Sequence, residues 1–445
     1  MKRTYTWTGA LGVGLALLLG AGAAAWAAPQ AQQAQQQKPA YTLAEYNAYQ
    51  AAHNEQNVAT RMKDLDDFVM KYPMSALLPY VYRDYYLGAY GQKDYAKAID
   101  YADKELALGD KVDIGTRLEA YIVWAQGFLA GQTDKNLQTP EMLNKTKAAV
   151  AEGLKTLSSW QKPDKMTDDQ FAKQKKDTAM EFNTVAGMAD STLKDFKGAE
   201  AAYKANLALD PNDAITHFHL GVAYLQDMPP MPTDAFWELS RSVALKGPGQ
   251  AQVQTYLQSQ LLHYQQPSCP KLVDDEINDL VTQAGGTNDK PATLMIPSSD
   301  DLQKARDDTM DFLPWLQEGG DHGKTMWLAT CGLEYPDVAV RVMNITPGDS
   351  DNFTLDVFRA PTQEAMQAAT APNMQVHIVM QPDVKRVNKD DFVRFTGTLT
   401  GYTQNPFMLT WDMAKVNPED LEPEKPGGKK APAAGGGRPA APKKP

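Results

Sequence analysis

At 445 residues the chain is too long for one ordinary core, and its 43% hydrophobic content is that of a globular protein, so two or more folded domains are expected. The formal net charge is −11; setting aside Lys2 and Arg3, and Lys425, Lys429, Lys430, Arg438, Lys443 and Lys444 near the other end, leaves −19 on residues 28 to 424. A body that acidic repels phosphate backbones, which argues against nucleic acid as its partner.

Lys2 and Arg3 precede an apolar run from Leu11 to Ala25, which leads into Ala25-Trp26-Ala27. A basic start, an apolar middle and small residues at a cleavage point predict a signal peptide over residues 1–27 and a periplasmic or secreted protein. An uncleaved N-terminal anchor is the alternative; Gly- and Ala-rich segments insert less stably than Leu-rich ones. Residues 28–40 are rich in Gln, Ala and Pro and read as a flexible lead-in.

Helical patterns then follow one another. TRMKDLDDFVMKYP reads as a helix stopped by Pro73. Tyr82, Tyr85, Tyr86 and Ala89 share one helix face, and Tyr95, Ala98 and Leu106 share the face of the next. Tyr121, Trp124, Ala125 and Phe128 mark another helix, with MLNKTKAAVAEGLKTL as its partner. A longer connection covers residues 159 to 170, and Met228-Pro229-Pro230-Met231-Pro232 interrupts the last repeat.

The register is clearest from Phe182 to Leu245. Gly187 and Gly221 lie 34 residues apart. Between them stand Phe196, Ala199, Tyr203, Leu207 and the helix stop Pro211, followed by Leu220, Gly221 and Tyr224 in the next unit. Small residues at Gly221 and Ala199 allow two helices to approach, while the 3.6-residue period turns Tyr203, Leu207 and Tyr224 inward. This set resembles the tetratricopeptide repeat. The upstream copies depart from it: Tyr86 stands where Gly is usual, and Gly109-Asp110 replaces the terminal Pro. The resemblance implies a mainly α, TPR-type helical-hairpin solenoid over residues 41–265, about five helical pairs, with residues 250 to 265 as the capping helix. It also implies a concave groove lined by the first helix of each unit. Carried over by position, the groove residues are Tyr80, Arg83, Leu87 and Tyr90; Glu119, Ile122 and Gln126; Glu181, Thr184 and Met188; and Ile215, Phe218, Val222 and Leu225. The plain reading of such a stripe is internal packing.

Past Pro267 the character changes. KLVDDEINDLVTQ and SDDLQKARDDTMDFLPWLQ read as two helices, Ser299 capping the second, within a helical connection over 266–320. Strands are expected at Lys324 to Ala329, Val338 to Ile345, Phe353 to Arg359, Met374 to Met380, Asp391 to Thr400 and Phe407 to Val416, with TPGDSDNF as a hairpin connection. Together they predict a small β-rich, barrel-like domain over 321–417, whose last part resembles the end of an OB-like barrel. Its aromatics Phe392, Phe395, Tyr402, Phe407 and Trp411 are read as core, since few basic residues accompany them. Residues 418–445 read as a disordered Pro/Gly/Ala/Lys tail, whose cations offer a contact for an acidic surface.

Cys269 and Cys331 are the two cysteines of the chain. In an oxidising compartment they form a possible disulfide; two free thiols are the alternative. The six histidines have no metal spacing, and His217 and His219 point to different helix faces. The loop Gly348 to Asn352 is a turn without the twelve-residue calcium pattern. No nucleophile elbow, phosphate loop or dinucleotide fingerprint is present. The expectation is therefore an exported scaffold that binds a peptide or partner protein, with no catalysis, no cofactor and no metal. Two other readings stay open: a cell-envelope hydrolase or carbohydrate-processing enzyme with a pocket near Trp315, Asp321, His322 and Trp327, and oligonucleotide binding by the OB-like domain.

Overall fold

The structure, a computed structural model, describes residues 40–308 and 312–421. The predicted signal peptide, nearly all of the lead-in and the tail from residue 422 lie outside the described residues. The chain divides into two compact units, one holding residues up to Gln254 together with Ala284–Lys290, the other Thr255–Gln283 and the chain from Pro291.

The first unit is built from helical hairpins. They are α1 (Leu43–Asn54) with α2 (Val58–Lys71), α3 (Leu78–Gly91) with α4 (Tyr95–Leu106), α5 (Ile114–Ala130) with α6 (Pro140–Ser159), α7 (Asp168–Leu193) with α8 (Phe196–Leu209), and α9 (Ala214–Gln226) with α10 (Pro232–Ala244). Polar residues start most of them: the side chains of Thr42, Asn57, Asp94, Asp113, Thr139, Thr167, Asp195 and Asp213 each accept from a first-turn amide. Each helix packs on the next in chain order, and α1, α3, α5 and α7 also touch in succession, first helix to first helix. That pattern is a helical-hairpin solenoid.

The two glycines that set the register do so by close approach. A Cβ on Gly187 would lie 2.5 Å from the ring of Tyr203, and one on Gly221 would lie 2.8 Å from Leu239. Tyr203 is 1% exposed and has nowhere to move. Gly187→Ala is therefore expected to destabilise by about 1–2 kcal/mol, overpacking outweighing the ~1 kcal/mol gain in helix propensity. Urea unfolding measures this, and a stabilised variant would show that the two helices are not held this close. Where the early copies lack the family residues, other solutions appear. Tyr86 is fully buried in the place of the usual Gly, and Gly109–Lys111 forms a 3-10 turn in place of the proline stop.

The short stretch Ala284–Lys290 is fastened to this unit by Arg241, which is 2% exposed. Its guanidinium donates to the carbonyls of Ala284 and Thr287 and to the side chain of Asn288, the last at 2.7 Å. Lys290 pairs with Asp234 at 2.7 Å.

The helix α11 (Gln250–Gln265) spans the boundary between the units, and α12 (Lys271–Gly286) belongs to the second as far as Gln283. After it come α13 (Ser299–Asp308), α14 (Leu313–Glu318) and α15 (Gly320–Thr330), then β1 (Glu334–Pro347), β2 (Phe353–Phe358), α16 (Gln363–Ala368), β3 (Met374–Ile378), β4 (Phe392–Gln404) and β5 (Phe407–Val416). The strands close a barrel in the order β1-β2-β3-β5-β4, with β3 and β5 parallel and β4 paired back to β1. Alternate residues of each strand fill the interior. At its centre Trp411, wholly buried, meets the rings of Phe395 at 5.3 Å and Tyr335 at 5.7 Å edge-on. Tyr402 donates to the Leu316 carbonyl at 2.6 Å. Phe395 and Trp411 are thus sealed in the core, Tyr402 and Phe407 are half-buried against it, and Phe392 is half-buried.

Four expectations need correction. Lys324 to Ala329 folds as part of α15, because Gly323, Met326 and Thr330 recur at helical spacing and a short apolar run alone does not distinguish strand from helix. The cap of α13 is Ser298, whose hydroxyl accepts from the Asp301 amide at 3.1 Å while Asp301 reaches back to the Ser298 amide. The single helix expected over residues 299–317 is divided into α13 and α14. Residues 418–421 belong with the barrel: Pro418–Leu421 forms a 3-10 turn, Leu421 enters the barrel core, and Asp420 pairs with Arg394 at 3.0 Å. The buried Leu421 and the Arg394 fork on Asp420 suffice to hold this four-residue turn. The loop from Gly348 to Asn352 closes as a turn between β1 and β2, with the Gly348 amide donating to the Asn352 carbonyl at 2.8 Å.

Candidate functional site

The residues carried over as groove positions lie on the first helices of successive hairpins: Tyr80, Arg83, Leu87 and Tyr90 on α3, Glu119, Ile122 and Gln126 on α5, Glu181, Thr184 and Met188 on α7, and Ile215, Phe218, Val222 and Leu225 on α9. Tyr80 is exposed and the other thirteen are half-buried; none is sealed in the core. A stripe packed wholly against neighbours would be fully buried, so this face is covered only in part.

Cross-links between helices show how the positions meet. The Arg83 Nε donates to both carboxylate oxygens of Glu119, at 3.0 and 2.9 Å, joining α3 to α5. This fork holds the guanidinium firmly in its charged form, its pKa well above the ordinary value. Gln126 hydrogen-bonds Glu181, joining α5 to α7. Burial pushes the Glu181 carboxyl up to about 7, and its Oε1 is buried without a partner among the described residues. Tyr90 lies near enough to feel that charge and sets its ring edge-on to Tyr95 at 5.3 Å. Met188 accepts a contact from Gln132 Nε2 at 3.8 Å.

Other positions are spent within the fold. The Thr184 hydroxyl donates to the Met180 carbonyl and accepts from Asn206 of α8, both at 2.8 Å. Leu225 packs against the α8–α10 core. Phe218 meets the ring of His219 at 5.4 Å. His219 in turn stacks on Tyr203, and burial lowers its pKa to about 4, so it is neutral at physiological pH. His217 faces the other way, to Glu238 at 2.5 Å, so the two histidines share no ligand.

The second unit holds a separate concavity. A cavity of about 300 Å3 lies between α12, the segment 291–297 and α15. Asp321 and Trp327 line it, whereas Trp315 and His322 pack on each other edge-on at 5.0 Å and are not part of its wall. The four residues grouped from the sequence as an enzymatic pocket are therefore not one constellation. The Sγ atoms of Cys269 and Cys331 are bonded, closing a loop over 62 positions with the Cα atoms 5.7 Å apart.

No family model matches the chain. No curated protein matches it either. Three solved chains do. One, the TPR2AB domain of yeast Sti1 in complex with pHSP90, is 13% identical and spans 54% of this chain and 96% of its own, with a TM-score of 0.18. So loose a superposition carries no weight, and the solenoid rests on the helix packing itself.

Sequence reasoning passed over three groups. On α1, His53 Nδ1 meets the buried Asp84 at 2.8 Å, with the Tyr49 hydroxyl at 3.3 Å. The Thr42-x-x-Glu45 capping box was the signal that a further first helix begins there. Glu105 is wholly buried on α4, and Glu276 lines the cavity; an isolated glutamate in an amphipathic pattern gives no warning of its own desolvation.

Proposed function

We propose that the protein is an exported, non-catalytic scaffold whose first-helix face receives a segment of a partner protein. One observation carries this reading: α3, α5 and α7 present half-buried side chains next to one another, linked through Arg83–Glu119 and Gln126–Glu181. Apolar Leu87, Ile122 and Met188, half-buried on the three helices, supply contact area. Arg83, already forked to Glu119, is not available to fix a carboxylate. The disulfide supports a location outside the reducing cytosol, because such bonds persist in oxidising compartments.

Site-specific photo-crosslinking in the native host tests the face. A crosslinker at Val222 should capture a partner, and one at the exposed Ala201 of α8 should not. The Phe218→Ala, Val222→Ala double variant should weaken recovery of that partner about tenfold. Equal adducts at both positions, or a folded double variant with full recovery, would refute the assignment.

A further inference from the structure

The cavity of the second unit is independent of the solenoid face, and its chemistry is different. Its volume of about 300 Å3 is that of a small-molecule site. Leu272 and Leu280 of α12, Leu294 of the intervening segment, and Trp327 and Leu328 of α15 give it apolar walls. The charged groups on it are Asp275, Glu276, Asp279 and Asp321 against Lys324 alone. Lys324 is engaged by Asp279 at 3.3 Å, and both side chains are about two-thirds exposed, at 67% and 65%. That pair is a solvated rim contact, screened and weak. It leaves the wall with an excess of negative charge.

Glu276 is the group that distinguishes this wall from an ordinary acidic surface. Its carboxyl accepts from Gln265 Nε2 at 2.8 Å, and Gln265 has no exposed surface. Burial is the main influence on the Glu276 carboxyl and raises its pKa. A desolvated carboxylate beside an apolar hollow gains most from a cation that brings its own hydrocarbon body, since such a ligand satisfies both parts of the wall at once. The walls are also held in place. Cys269 stands two residues before α12 and Cys331 directly follows α15, so the disulfide ties the two helices that face each other across the hollow. A site fixed in this way spends little of its binding energy on ordering.

We infer that this cavity is a binding site for a small organic ammonium ion with an apolar body, received by Glu276 with Trp327 and the leucines around it. Calorimetric titration of the full-length oxidised protein with phenethylamine, and with the neutral 2-phenylethanol as its counterpart, tests this. The amine should bind about tenfold more tightly than the alcohol. Glu276→Gln should remove that preference, bringing the amine to the affinity of the alcohol. Leu294→Trp, which fills the hollow from the segment between α12 and α13, should abolish binding of both probes. Equal affinity of the wild type for the two probes would mean an apolar hollow without charge recognition and would overturn the inference. So would an amine affinity unchanged in Glu276→Gln, or no detectable binding of the amine at millimolar concentration. Should Leu294→Trp fail to fold by near-ultraviolet circular dichroism, the Glu276→Gln comparison decides the matter alone.

Discussion

The unfolding free energy of the protein is expected to fall by roughly 5 kcal/mol between pH 4.5 and pH 8 through one side chain, Glu105, and this component should vanish in Glu105→Gln. Glu105 has no exposed surface, and burial pushes its carboxyl up to about 8 from the ordinary 4.5. The nearby charges of Glu119 and Asp113 act in the same direction, while the Tyr86 hydroxyl and Arg83 oppose it without reversing it. Between the two values the folded chain holds a proton that the unfolded chain has released, so stability drops as pH rises. The contribution is whole below about 4.5 and gone above about 8. Asp103 and Glu181, raised to about 6 and about 7, slope the same way. For that reason the measurement is a difference: urea unfolding of wild type and Glu105→Gln at both ends of the window. Parallel pH profiles for the two proteins would show that Glu105 is not desolvated.

The second large effect is expected from the disulfide. Replacing Cys269 and Cys331 together by Ala should cost about 4 kcal/mol, since the bond closes a loop over 62 positions and restricts the unfolded chain accordingly. The loss should appear in the unit that contains the bond. Hydrogen exchange should show lower protection in β4 and β5, with α7 to α9 unchanged. Stability equal to wild type, or loss spread evenly over both units, would contradict this account. Treating the wild type with a reductant should reproduce the same change, which separates the crosslink from any packing fault of the alanines.

Much of the first unit was legible in advance, and particular residues show why. Gly187, Tyr203, Pro211 and Gly221 act through neighbours within one hairpin or the next, so a period of 34 positions is enough to announce their packing. The helix starts are less legible: residues 159 to 170 read as a connection, yet α7 begins at Asp168, where the Thr167 side chain accepts from the amide three positions on. The candidate face was legible as a list of positions. Which of them meet was not. Arg83 and Glu119 are 36 positions apart, and nothing local couples them. Nor does any local pattern separate Thr184, consumed by Asn206, from Glu181, left with an oxygen unsatisfied.

In the second unit the local signals were weaker. Phe407–Val416 is the strand its pattern foretells, although its phase shifts at the exposed Met413, so that Ala414 and Val416 turn inward after Leu409 and Trp411. The helical spacing around Lys324 to Ala329 shows only when Gly323 and Thr330 on either side are counted, and α13 and α14 pack beside that helix. Taken by itself, the order of amino acids determined the helical hairpins, their caps and register, and the presence of a strand-rich domain with a cysteine on either side of its helical approach. Tertiary structure alone decided the closure of the barrel through β3 and β5, the meeting of Cys269 with Cys331, and the desolvation of Glu105, Glu181 and Glu276. The physical reason is range. Helix and turn preferences are settled within a few bonds along the chain, but the fate of a charge depends on every atom that displaces water around it, and most of those atoms come from distant residues.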